Sequence, residues 1–189
     1  MKVNAVEHRR QAITVLILNT IAFTVCFACW MLNGVLVTYL VENQLVHWTD
    51  AQIGWLIGIP VLSGSIFRLP VGLLTDKYGG KWVFVIVMLV AAVPMYLLSF
   101  ANSYASFLWC SLGFGLAGTS FAVGIAYTSV WFSREHQGKA LGIFGAGNAG
   151  AALTSMGAPW LLRSLRNGGE QLEAWRTMPR LYAGGLVLM

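Results

Sequence analysis

Charged residues are scarce in this sequence: Asp, Glu, Lys and Arg together make up only 10% of its 189 residues. Soluble domains carry about 25%. Hydrophobic residues make up 57% of the chain, so the composition excludes the usual soluble classes and indicates a membrane protein. The formal net charge of +5 lies outside the apolar runs and is not interleaved with base-stacking aromatics, so we expect no nucleic-acid partner.

Cysteine and histidine are also scarce, with three residues of each. The cysteines all lie inside apolar segments, where a thiol packs as a small apolar group and no disulfide framework is expected. The histidines lie near the ends of apolar runs and their spacing forms no metal-ligand cluster. We therefore expect no metal, no cofactor and no enzymatic activity. The positions are 26, 29 and 110 for cysteine, and 8, 47 and 136 for histidine.

Long uncharged runs divide the chain into membrane-spanning segments. About 20 apolar residues in a helix cross the hydrocarbon core of a bilayer. The predicted helices cover residues 12–41, 51–75, 82–100, 106–131 and 139–162, and a sixth apolar segment covers 181–189. This last segment is shorter than the minimum of about 17 residues for a span. The sequence therefore predicts an all-α integral membrane protein with five complete helices and the start of a sixth, belonging to a longer protein.

Lysine and arginine mark the cytoplasmic side of a membrane protein. They occur in the N-terminal tail, residues 1–11, and in the turns at 76–81 and 134–139, whereas the turns at 42–50 and 101–105 have none. We therefore expect a multi-pass protein of the cytoplasmic (inner) membrane with its N-terminus in the cytoplasm.

One segment runs against this orientation. Residues 163–180 contain four arginines on the predicted outer side. We interpret this segment as interfacial, lying on the outer surface of the membrane.

Arg68 is the only charged residue in the second predicted helix. An arginine deep in a membrane costs about 2.5–3.5 kcal/mol on insertion scales, so its presence points to function, to a structural ion pair or to a side chain that snorkels toward the cytoplasm. The guanidinium of arginine stays charged, and its planar fork of N–H donors suits a small planar oxyanion. We predict that Arg68 binds an anion inside the bundle.

The uncharged run at 140–162 is dense in glycine, which permits close approach of a helix or a ligand. Gly145, Gly147 and Gly150 spell G-x-G-x-x-G, but a dinucleotide fingerprint needs a preceding strand and a soluble βαβ unit. Within this run we expect the amide of Asn148 to be buried, and a buried amide needs a partner. We therefore predict that this helix lines a transport pathway, with Gly145, Gly147 and Asn148 near the substrate.

The turn after the second predicted helix carries the pattern G-x-x-x-D-[KR]-x-G-x-[KR]. Its matching residues are Gly72, Asp76, Lys77, Gly79 and Lys81. Glycines allow a tight reversal, and Asp76 could accept backbone hydrogen bonds or pair with Arg134. This pattern resembles the signature loop of the major facilitator superfamily.

Further segments resemble the nitrate/nitrite porter family within that superfamily. They are residues 67–70 (FRLP), 118–121 (GTSF), 131–132 (WF), 137–142 (QGKALG) and 145–150 (GAGNAG). The resemblance implies twelve helices in two six-helix halves that move by alternating access, with this chain as the first half. It implies that Arg68 binds the anion, that Phe121 packs over it, and that a second arginine comes from the C-terminal half. Some members have an aromatic residue where this chain has Asn33, which is a departure from the pattern.

The function we expect is secondary active transport of nitrate or nitrite across the lipid bilayer, by proton symport or by nitrate/nitrite exchange. Asp76 and Arg134 would latch the cytoplasmic side in one state. No carboxylate lies deep in a predicted helix, so this half offers no visible proton relay. The alternatives are a carrier of another small anion, or a membrane sensor that binds the anion without moving it.

Overall fold

The computed structural model describes residues 2–165 and 172–189, and within them every regular element is helical. The α-helices are α1 (Lys2–Glu42), α2 (Asp50–Tyr78), α3 (Gly80–Leu98), α4 (Tyr104–Phe114), α5 (Ser120–Trp131), α6 (Arg134–Gly145), α7 (Ala149–Leu165) and α8 (Thr177–Leu188). Single 3₁₀ segments at Gly115–Thr119, Ala146–Asn148 and Leu172–Arg176 precede α5, α7 and α8. The prediction of an all-α membrane fold is confirmed.

Four helices of the described chain are long and apolar enough to cross a membrane. They are Glu7–Glu42, Asp50–Tyr78, Gly80–Leu98 and Tyr104–Trp131, the last of which joins α4 to α5. These four match the first four predicted spans, and the fifth, at residues 139–162, does not meet this criterion and stays a prediction. The run from α6 to α7 is continuous and helical, but its glycines and Asn148 make it less apolar than the other four.

Two predicted boundaries move in the structure. The basic tail before residue 12 belongs to α1, which is helical from Lys2. The polar turn predicted at 76–81 shrinks to Gly79, because α2 continues to Tyr78 and α3 begins at Gly80. Gly79 has a φ of 84°, a conformation that only glycine adopts at little cost. The glycine thus reverses the chain within a single residue.

The two ends of the bundle are distinguished by the loops that meet there. At the end we call the Gly79 end, a Cβ on Gly80 would overlap the ring of Tyr127, and the rings of His8 and Trp131 lie 5.8 Å apart. At the opposite end, which we call the Trp48 end, Trp48 and Phe107 have ring centroids 5.1 Å apart. Successive predicted spans therefore run in alternating directions between these ends.

Glycines allow α2 to cross the Gly115–Thr119 segment closely. A Cβ on Gly64 would lie 2.8 Å from the Gly115 carbonyl oxygen. A Cβ on Gly115 would overlap Ser63 Oγ and would lie 2.7 Å from the Pro60 carbonyl oxygen. Small residues at helix crossings let backbones approach in a membrane, so this contact fixes α2 against the centre of the fourth span.

A buried polar network joins α1, α2 and α4. Pro60 has no N–H to donate to the Leu56 carbonyl four residues earlier. Instead Asn33 Nδ2 donates to that carbonyl oxygen at 2.7 Å, and Ser111 Oγ donates to Asn33 Oδ1 at 3.1 Å. Asn33 is 2% exposed, so the residue that departs from the family pattern ties three helices together.

Replacing Asn33 with Ala is expected to lower the free energy of unfolding by about 1–3 kcal/mol, because buried polar partners lose their hydrogen bonds. In a Pro60→Ala background residue 60 regains an N–H for the Leu56 carbonyl, so the loss is expected to be smaller. Thermal unfolding of the four proteins in detergent measures the coupling. Equal losses in both backgrounds would refute the assignment of Asn33 to that carbonyl.

Arg176 clamps the turn between α3 and α4 at the Trp48 end. Its Nη1 donates to the carbonyl oxygens of Ser99 at 2.9 Å and Ala101 at 3.1 Å, and its Nη2 donates to Asn102 Oδ1 at 2.6 Å. The last carbonyls of a helix lack partners and attract cations. This contact gives Arg176 a role in packing. Residues 166–171 of the arginine-rich segment at 163–180 lie outside the described residues.

Replacing Arg176 with Gln is expected to lower the free energy of unfolding by about 1.5–3 kcal/mol, since hydrogen bonds from a charged donor are lost. Glu173→Gln is the matched control, because Glu173 forms only an exposed ion pair with Arg176 at 3.1 Å and such pairs contribute at most about 1 kcal/mol. Thermal unfolding in detergent compares the two. Equal effects would argue against the carbonyl clamp.

The outside of the bundle suits lipid contact. Trp55, Trp82 and Trp109 are exposed by 60%, 63% and 71%, and many aliphatic side chains of α2 and α3 are exposed with them. A soluble monomer rarely leaves so much apolar surface uncovered, so this surface agrees with a position in the bilayer.

Candidate functional site

Arg68 projects from an exposed face of α2 over an aromatic ring of α5. Its Cζ lies 5.8 Å from the centroid of the Phe121 ring, a distance at which a guanidinium is attracted to the face of the ring. Within the described residues no carboxylate pairs with Arg68, since the ion pair found there joins Arg176 to Glu173. The planar fork of donors is therefore available to an acceptor from outside the chain.

Phe121 rests on two buried rings. Its centroid lies 5.6 Å from that of Phe23 in α1 and 6.2 Å from that of Phe144 in α6. Phe23 and Phe144 stack on each other at 4.7 Å with an interplanar angle of 25°, and both are at most 1% exposed. Since close-packed rings have little freedom to move, this aromatic platform fixes Phe121 beneath Arg68.

Two glycines make room for the platform. A Cβ on Gly124 would overlap the ring of Phe144, and a Cβ on Gly147 would lie 2.5 Å from Phe23 Cδ1. Gly147 is also buried. Gly147 thus packs against the platform, because a side chain there would displace Phe23. Its place near the substrate stays a prediction.

The glycine-rich run of α6 and α7 has two faces. Gly150 packs against α1, where a Cβ would overlap the Thr24 carbonyl oxygen and lie 3.2 Å from the Ala28 nitrogen. Gly145 has open space around it, and Asn148 is exposed. The sequence leaves open whether this run packs against a helix or lines an open face. Both are present, on opposite sides of the helical run from α6 to α7.

The amide of Asn148 already has one partner in its own turn. Its Nδ2 donates to the Gly145 carbonyl oxygen at 3.0 Å, in an exposed setting. The prediction of a buried amide that needs a partner is corrected, because the 3₁₀ turn Ala146–Asn148 presents the side chain to the open face. An amide nitrogen carries two hydrogens, so one donor of Asn148 remains free for an acceptor.

The signature loop lies at the Gly79 end, along the same helix as Arg68. Ser65, Arg68, Gly72 and Asp76 line one shallow cleft of α2. Asp76 is exposed, and it lies about two turns beyond Arg68 along α2.

The cations of the loop lie over neighbouring rings or in solvent. Lys77 Nζ lies 5.2 Å from the ring centroid of Tyr78, and Lys81 Nζ lies 5.5 Å from that of Trp82. Arg134 is exposed at the start of α6. In the described part of the chain no ion pair joins Asp76 to Arg134, so the latch between them is not closed in this conformation.

Three features of this region are not apparent from the sequence. Phe23 and Phe144 carry no motif, and their contact depends on how α1, α5 and α6 pack. The 3₁₀ segments Gly115–Thr119 and Ala146–Asn148 are likewise not predicted by any sequence pattern other than their glycines. A 3₁₀ stretch inside a helix often marks a hinge or a functional site, and here both stand beside candidate residues.

Comparisons with known proteins identify the family of this chain. The family model described as Major Facilitator Superfamily matches residues 18–189. A "Probable nitrate/nitrite antiporter NarK1" from Thermus thermophilus is 44% identical over 97% of this chain and 42% of its own length. A "Probable nitrate transporter NarT" from Staphylococcus epidermidis is 34% identical over 80% of this chain and 39% of its own length.

A "Probable nitrate transporter NarT" from Staphylococcus aureus strain Newman is 35% identical over 88% of this chain and 40% of its own length. The chain therefore spans about two fifths of the length of these relatives. The family match covers most of the chain, and it agrees with the all-α membrane fold and with the signature loop after α2. This chain belongs to the major facilitator superfamily.

Proposed function

We propose that this chain is the N-terminal half of a secondary transporter that moves nitrate or nitrite across the cytoplasmic membrane. The observation that carries the proposal is the position of Arg68, which lies on an exposed face, 5.8 Å from the Phe121 ring, and has no carboxylate partner among the described residues. The relatives whose printed names refer to nitrate or nitrite support the choice of substrate.

The chemistry of Arg68 suits a small planar oxyanion. Removing such an anion from water is costly, and a fixed cation with oriented donors offsets that cost. The guanidinium supplies parallel N–H donors in one plane, and the free amide hydrogen of Asn148 supplies another from the 3₁₀ segment before α7. Gly145, which has open space beside it, lets the anion approach the backbone there.

In this proposal the C-terminal half of the transporter covers the open face that carries Arg68. Substrate sites of such transporters lie near the bilayer midplane between two repeats, and the resemblance to nitrate/nitrite porters implies a second arginine from the C-terminal half. The 189 residues are therefore expected to bind the anion weakly and not to transport it alone. The function is transport, not catalysis.

The proposed orientation places the Gly79 end in the cytoplasm. Lysines and arginines gather there in the loops around Gly79 and Ser133, as the positive-inside rule requires. Closure of that end would bring Asp76 to Arg134, and opening would separate them as in the present conformation. Two coupling modes agree with this chemistry: exchange of nitrate for nitrite conserves charge, and symport with protons compensates the charge of the anion.

Counterflow into proteoliposomes distinguishes these modes in the full-length protein that contains this chain. Labelled nitrate is added outside, and nitrite, unlabelled nitrate or buffer alone is placed inside, with and without a pH gradient. Uptake driven by internal nitrite without a gradient supports exchange, and uptake driven only by external acid supports symport. Uptake of a different small anion in preference to both nitrate and nitrite would overturn the substrate assignment.

A further inference from the structure

Trp30 holds a buried donor that has no acceptor. Its indole Nε1 is enclosed by the bundle, and within residues 2–165 and 172–189 it makes no hydrogen bond. Most polar side chains of α1 are satisfied: Thr20 and Thr24 donate to carbonyls one turn earlier, and Asn19 donates to Thr128 at 3.2 Å. Tyr39 Oη, further along α1, is also buried without a partner among these residues. Buried donors are rarely left unpaired without a functional reason, so the indole N–H of Trp30 calls for an explanation.

The position of the indole is fixed from three elements. Its ring centroid lies 5.1 Å from that of Phe27 in α1. A Cβ on Gly118 would lie 3.9 Å from Trp30 Nε1 and 3.7 Å from the Cα of Gly64 in α2. The indole nitrogen therefore lies beside the glycine crossing of α2 with the Gly115–Thr119 segment.

This crossing is displaced by one helical turn from the anion site. Gly64 precedes Arg68 by four residues, so the two lie on the same face of α2 about 6 Å apart along its axis. Gly118 precedes Phe121 by three residues, which gives the same displacement from the ring under the guanidinium. Both helices run from the Trp48 end, so Trp30 lies one turn closer to that end than Arg68.

We propose that the indole N–H of Trp30 is a donor to the transported anion, at a subsite one turn from Arg68 toward the Trp48 end. This inference rests on the proposed function. An indole N–H can only donate, so its partner must be an acceptor, and an oxyanion brings one. Gly64 and Gly118 place no side chain beside the indole N–H at this crossing. A small shift of Trp30 against the crossing admits an oxygen atom to the N–H as the anion passes.

Replacing Trp30 with Phe tests the subsite, because this change removes the N–H and keeps an aromatic ring. Trp55→Phe is the matched control, since Trp55 is 60% exposed on α2. In the full-length protein, melting temperature is measured as nitrate is added, and the KM of nitrate uptake is measured in proteoliposomes. We expect the half-saturating nitrate concentration and the KM of Trp30→Phe to rise about tenfold, as for loss of one bond to a charged acceptor.

The nitrate-free melting temperature separates binding from structure. We expect Trp30→Phe to melt at or above the wild-type temperature without nitrate, because an unpaired buried donor has been removed, and Trp55→Phe to match wild type in both measurements. Wild-type nitrate affinity in Trp30→Phe, or a lower nitrate-free melting temperature, would overturn the inference and leave the proposed function intact. Absence of any nitrate response in the wild-type protein would overturn both.

Discussion

Arg68→Lys is expected to weaken nitrate binding about 10- to 100-fold while the protein still inserts and folds. Lysine keeps the positive charge, but it replaces a planar fork of donors with a point charge. Hydrogen bonds to charged groups contribute about 1.5–3 kcal/mol each, and the second bond of the fork is lost. The ammonium also interacts differently with the Phe121 ring, over which the guanidinium lies at 5.8 Å. Nitrate-dependent thermal stabilisation of the full-length protein measures the change.

Arg163→Lys is the matched control for this prediction. Arg163 is an exposed arginine in the last turn of α7, so the same change there is expected to leave nitrate binding unaltered. If Arg68→Lys binds nitrate as wild type does, the planar fork is not what holds the anion. If both variants lose binding together, the effect is not specific to the site.

Gly150→Ala is expected to cost about 1–3 kcal/mol of unfolding free energy or more, the range found for overpacked interiors. The added Cβ would overlap the Thr24 carbonyl oxygen and crowd the Ala28 nitrogen. Both are backbone atoms of α1, so no side chain can rotate away and α1 and α7 must separate. We expect a melting temperature several degrees lower and reduced yield of folded protein, measured by thermal unfolding in detergent.

Gly157→Ala tests whether the packing face alone is sensitive. Gly157 lies seven residues further along α7 with open space around it, and alanine favours a helix by up to about 1 kcal/mol over glycine. We therefore expect this control to melt at or slightly above the wild-type temperature. Equal destabilisation of the two variants would mean that the helix needs glycine for another reason than close contact with α1.

The span pattern follows from the sequence because charge and membrane thickness constrain it directly. A stretch such as residues 12–41, with no charge and no proline, has few options in a bilayer other than a helix. The position of Arg68 as the only charged residue of the second predicted helix, residues 51–75, is a signal of the same kind. Both depend on composition along the chain, which needs no knowledge of neighbouring helices.

Features that depend on contacts between helices were not predictable in this way. Asn33 is a departure from a family pattern in the sequence, and only the freed carbonyl of Leu56 shows what its amide does. Asn148 lies exposed because a 3₁₀ turn follows Gly145, although its apolar neighbours suggest burial. Arg176 appears as an outlier of the positive-inside rule until the carbonyl of Ser99 is seen beside it.

Saturable uptake of labelled nitrate into proteoliposomes, with the wild-type full-length protein and Arg68→Ala side by side, tests the central claim most directly. The account predicts saturable uptake by the wild type and its loss in Arg68→Ala, with both proteins shown to be folded by their melting curves. Saturable nitrate uptake by a folded Arg68→Ala protein would contradict the assignment of the anion site to the face of α2 over Phe121.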